Sequence, residues 1–136
     1  MKRRAKMIQI IAAALIIASA LAQHAALSQT SGIKRTDLQR HDLSVPEREV
    51  FQVLVEFAPG ITFPRHSHPG EEMVYVVEGV LEYALDGRPP VNVKAGEVLF
   101  IPAGTGHAVK NVGTAKAAEL ATYILEKGQP LFVLAE

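Results

Sequence analysis

The sequence predicts an all-β fold, a sandwich or small barrel of short strands, on three observations. Apolar and polar residues alternate with period two from Lys34 onward. Gly and Pro interrupt that alternation about every 8 to 12 residues. No stretch after residue 33 sustains an apolar stripe at the 3.6-residue spacing of a helix. Seven or eight strands therefore fill roughly 100 residues, with no helix longer than about two turns.

The elements follow in order. Gln23 to Ile33 is small, polar and turn-rich, a flexible lead-in to a domain spanning 34–136. Val50 to Phe57 is a strand with Phe51, Val53, Val55 and Phe57 on one face, and Pro59-Gly60 ends it. Met73 to Val77 is the next strand, followed after Gly79 by Leu81 to Leu85. Asp86-Gly87 then supplies a hairpin turn, because both residues tolerate positive φ. Val91 to Lys94, Val98 to Ile101, His107 to Asn111 and Glu119 to Leu125 complete the series. Val74, Val76, Val91, Val93, Val98 and Phe100 read as core and barrel lining, while Tyr75 and Tyr123 read as packing residues, with cavity lining or hydrogen-bond donation as the alternative. The closing run Pro130 to Leu134 is strand-like and suited to covering an apolar surface, so a homodimer is expected.

The chain has 136 residues, no cysteine, and 14 Lys+Arg against 14 Asp+Glu. The missing cysteines exclude disulfide scaffolds, thiolate nucleophiles and Cys-based metal sites. The balanced charge is uneven along the chain. Lys2, Arg3, Arg4 and Lys6 precede an uncharged apolar run from Met7 to Leu21, and Ala20-Leu21-Ala22 supplies small residues at alternate positions. Together these read as a signal peptide over residues 1–22, cleaved after Ala22. The apolar run is short for a membrane anchor, which needs about 20 residues. Arg3-Arg4 raises the twin-arginine route, but the flanking residues fit general secretion better. Cleavage leaves four fewer cations and a mildly acidic product, expected in the periplasm or outside the cell. Such a chain has no electrostatic reason to hold nucleic acid, nor to stay on a membrane.

One cluster carries chemistry. His66 and His68 are two apart, so on a strand both imidazoles face one side. Glu72 follows the Pro69-Gly70 turn, and His107 opens a strand after Gly104-Thr105-Gly106. Imidazoles with one carboxylate suit Zn, Fe, Ni, Co or Mn. Glu71, adjacent to Glu72, faces the opposite way, and Arg65 is out of phase with both histidines.

The glycines and prolines around this cluster have a recognisable spacing. Gly60, five residues, His66-Ser67-His68, three residues, Glu72, six residues and Gly79 make one motif. Gly96, five residues, Pro102-Ala103-Gly104, two residues, His107, three residues and Asn111 make a second, 16 residues on. The chain resembles a small single-domain cupin from about Val50 to Leu125. That resemblance implies a conical jelly-roll barrel in which His66, His68, Glu72 and His107 hold one divalent transition metal, with about two positions open. Asn111 shares a face with His107 and either supports the site or holds the turn. Glu72, released from the ion, is the candidate catalytic acid or base.

Two functions fit this reading. One is an enzyme with dioxygenase-, isomerase- or decarboxylase-like chemistry on a small organic molecule. The other is a non-catalytic, metal-dependent module that binds or senses a small molecule. A largely apolar lining favours a neutral or aromatic ligand in either case.

Overall fold

A computed structural model describes residues 32–135. Residues 1–22, read as a signal, and nearly all of the lead-in lie outside the described residues. Ten strands and no helix occur among the described residues. They are β1 (Ile33–Asp42), β2 (Arg48–Phe57), β3 (Thr62–Ser67), β4 (Glu71–Glu78), β5 (Val80–Leu85), β6 (Val91–Lys94), β7 (Val98–Ile101), β8 (His107–Asn111), β9 (Ala117–Glu126) and β10 (Val133–Leu134).

Two five-stranded antiparallel sheets face each other, ordered β1-β2-β9-β4-β7 and β10-β3-β8-β5-β6. Successive residues of a strand point to opposite faces, so alternate side chains of each sheet fill the space between them. Val53, Val55 and Phe57 of β2 meet Ala117, Ala121, Tyr123 and Leu125 of β9 and Val74 and Val76 of β4 there. Leu81, Tyr83, Leu85 and Val109 oppose them from the second sheet.

The sequence reading placed several residues on the wrong face. Val98 is 73% exposed and Phe100 54%, while Ile101 is buried. β7 is apolar throughout, so alternation gives no phase, and the register Glu72 opposite Ile101 decides it. Val91 and Tyr75 are exposed as well. With Met73 and Val77, Tyr75, Val98 and Phe100 form an apolar strip on the outer face of β4 and β7. β1 opens at Ile33, which is buried, and carries a long strand that the polar residues of 34–42 had concealed. The C-terminal run covers its own chain: β10 pairs with β3 and Leu131 is buried.

Asn111 holds a turn. Its amide nitrogen donates to the carbonyls of Phe57 (3.0 Å) and Ala115 (2.8 Å), and its oxygen accepts from the Gly113 amide at 2.9 Å. Fully buried, it ties the end of β8 to β2 and the following loop. Asn111→Ala leaves those buried groups unpaired and is expected to cost about 2–4 kcal/mol in urea unfolding.

Candidate metal centre

The ligand-type residues come from both sheets. His66 and His107 are directly paired across β3 and β8, which puts their imidazoles on one face with ring centroids 4.2 Å apart. Strand parity alone does not deliver this. Phe63 and His66 are three apart, yet both are buried. The β3–β8 register shifts between them, because Phe63 opposes Val109 and His66 opposes His107. The bulge falls at Pro64-Arg65, where proline has no N–H to give the ladder. It turns His66 and His68 inward behind Phe63 and leaves Arg65 outside, ion-paired to Asp86.

His68 lies just past β3, and its carbonyl accepts from the Gly104 amide at 2.7 Å, fastening the loop that precedes His107. Gly70 then lets the chain pass under β9. A Cβ at that position would collide with the carbonyl oxygen of Ile124. Gly70→Ala should therefore displace the turn between His68 and Glu72, lowering both metal affinity and melting temperature. Glu72 enters from β4, buried, while Glu71 is half-buried on the other side.

The donor atoms converge. The three histidines each offer a nitrogen within 4.8 Å of the others. Oε2 of Glu72 lies 3.2 Å from Nε2 of His68 and 3.3 Å from Nε2 of His107. Each imidazole also commits its Nδ1 to a backbone carbonyl: His66 to Pro64 at 2.8 Å, His68 to Leu131 at 2.6 Å, and His107 to Thr105 at 3.0 Å. A carbonyl only accepts, so each Nδ1 carries the proton and each Nε2 presents a lone pair inward. Nε2 of His68 and Oε2 of Glu72 are buried with no hydrogen-bond partner. Buried polar atoms normally have one, so a cation among these four groups is what would satisfy them.

The electrostatics agree with that fit. Burial first, then the two neighbouring imidazoles, push His66 down to about 3, which keeps it neutral and able to ligate. All four residues expected to be ligands are therefore brought together around one point.

Two residues at the site were missed or misjudged from sequence. Tyr123 is buried with its ring 4.7 Å from that of His68, so it lines the centre. Glu119 is a second buried carboxylate, bonded to the Tyr83 hydroxyl across the two sheets. Burial, and then the charge of Glu72, push it up to about 8, so it is largely protonated at neutral pH. The signal was available in the inward parity of Glu119, Ala121, Tyr123 and Leu125.

The cupin-domain family model matches residues 53–129. Among characterised proteins, the chain is 33% identical over 57 residues to dimethylsulfoniopropionate lyase DddQ of Ruegeria pomeroyi, covering 42% of this chain and 28% of that protein. It is 43% identical over 68 residues to polyketide synthase CurC of Streptomyces cyaneus, covering 49% and 44% respectively. The matched stretch thus spans less than half of either relative. Among solved structures, an oxalate oxidase in complex with glycolate superposes with a TM-score of 0.62 at 29% identity, covering 79% of this chain and 57% of that one. Strand order, both glycine-framed motifs and the family match agree, and the chain belongs to the cupin-domain family.

Proposed function

We propose that the protein is an exported, metal-dependent cupin that acts on a small organic molecule at an ion held by His66, His68, Glu72 and His107. One observation carries this reading: three Nδ1 atoms are spent on backbone carbonyls, and three Nε2 atoms and one orphaned carboxylate oxygen face a common point. A divalent ion there would supply a Lewis acid with open coordination positions. The protein's own contribution is to fix the ligands and to exclude bulk water from them, since all four are at most 5% exposed. Tyr123 packs its ring beside that of His68, and the Tyr83–Glu119 hydrogen bond lies buried between the two sheets. Relatives named as a lyase and as an oxidase support small-molecule chemistry at such a centre. The reading includes export directed by residues 1–22 and a homodimer that covers the apolar strip of Met73, Tyr75, Val77, Val98 and Phe100.

The test loads metal-free protein with Fe²⁺, Mn²⁺, Co²⁺, Ni²⁺ or Zn²⁺ and follows O₂ uptake and product formation over phenols, diketones and organic acids. Turnover with at least one metal, lost in His107→Ala, supports the enzyme. A metal-dependent rise in melting temperature with some ligand and no turnover assigns the non-catalytic binding role instead.

A further inference from the structure

Among the described residues, one cationic side chain faces the barrel interior without an ion-pair partner. Arg35 of β1 opposes Val55, Val55 opposes Glu119, and Glu119 opposes Val76, so the four share the inner face of the first sheet. Val55, Glu119 and Val76 are buried, whereas Arg35, on the edge strand, is half-buried at the rim. Its guanidinium lies 5.9 Å from the ring centroid of Phe132. That ring meets His66 edge-on at 6.2 Å and Phe63 at 5.9 Å. The Arg35 head group is thus one aromatic ring away from a ligand of the metal centre.

Arg40, further along β1, is neutralised by a two-point pair with Glu49 at 2.6 and 2.7 Å. Arg35 makes no ion pair among the described residues, and Asp37, the next residue on its face, is exposed and not bonded to it. The surrounding charge also favours an anion. A divalent ion held by three neutral imidazoles and the Glu72 carboxylate would leave a net positive centre. Phe63 and Phe132, packed edge-on at 5.9 Å, provide apolar wall beside it.

We propose that Arg35, braced on Phe132, is a carboxylate-binding subsite at the barrel rim, selecting a small monocarboxylate with an apolar body that reaches toward the histidine cluster. The planar fork of the guanidinium matches a carboxylate bidentately, and stacking on Phe132 limits the freedom it loses on binding. This names a ligand class for the site described under Proposed function and rests on that reading for the ligand's other end. It departs from the neutral ligand that the apolar lining alone suggests.

The experiment uses the full chain, metal-free and Co²⁺-loaded, with benzoate and benzamide as probes of nearly equal shape. Binding is followed by calorimetry and, in the loaded form, by the visible Co²⁺ spectrum. Wild type is expected to prefer benzoate at least about tenfold, as a charge-assisted pair allows. Arg35→Met should erase that preference and leave benzamide affinity unchanged, while Arg35→Lys retains part of it. A preference that depends on Arg35 but appears without any Co²⁺ uptake would keep the subsite and sink the metal reading. A preference seen only with Co²⁺ and intact in Arg35→Met would place the carboxylate on the metal and overturn the subsite. Equal affinity for the two probes, or binding of neither, overturns it as well.

Discussion

Chelating the metal should lower the melting temperature reversibly, and His107→Ala should weaken metal affinity at least about tenfold. The reason is architectural. His66 and His107 sit on adjacent strands of one sheet, and Glu72 sits on a strand of the other, so one ion held by all three would tie the two sheets together. Binding to the folded state alone adds stability by mass action, and the donors are scattered when the chain unfolds. His107 is the most buried of the three histidines, and removing its imidazole deletes a donor that no neighbour replaces. His41, exposed on β1 and outside the cluster, is the control: His41→Ala should leave metal affinity unaltered. Isothermal titration of metal-free protein with Co²⁺ or Zn²⁺ measures both variants.

A second large effect is expected from Glu119. Its folded-state pKa, about 8, lies above that of an unfolded glutamate, so the folded protein holds a proton that the unfolded chain releases. Stability from this group is full below the unfolded pKa and is lost as pH rises toward about 8. Across that window the loss amounts to at most about 5 kcal/mol. The groups acting on Glu119 are Glu72, Tyr83 and Arg35, and the Glu72 charge is the second cause of the shift after burial. A cation bound to Glu72 cancels that cause, so metal-loaded protein should lose less stability than metal-free protein over the same range. Glu119→Gln keeps a hydrogen-bonding partner for Tyr83 and should flatten the dependence. Urea unfolding between pH 5 and pH 9 gives the comparison, and a steeper slope in the loaded form would contradict this account.

How much of this could be read from the sequence differs from element to element, for physical reasons. The all-β architecture was legible because period-two alternation in β2, β5 and β9 reflects burial on one face. The four candidate ligands were legible because Gly60, Gly79, Gly96 and Pro102 frame them at fixed intervals. The phase of β7 was not, since a run of four apolar residues fits either face, and only pairing with β4 selects one. β1 was hidden because an edge strand buries little and can stay polar. The bulge at Pro64-Arg65 depends on how β3 pairs with β8, which is a long-range relation. Proline within a strand was its one local sign. Glu119 lay outside both motifs and became meaningful only when β9 placed it opposite Val55 and Val76, within reach of Tyr83.

The central claim is that three imidazoles and one carboxylate share a single ion. X-ray absorption spectroscopy at the Co or Zn edge of loaded protein tests it most directly, read together with metal stoichiometry. One ion per chain is predicted, with a first shell of nitrogen and oxygen only and outer-shell scattering that requires three imidazoles. His107→Ala should show two. A shell fitted by water oxygens with one imidazole or none, or a spectrum unchanged in His107→Ala, would contradict the site.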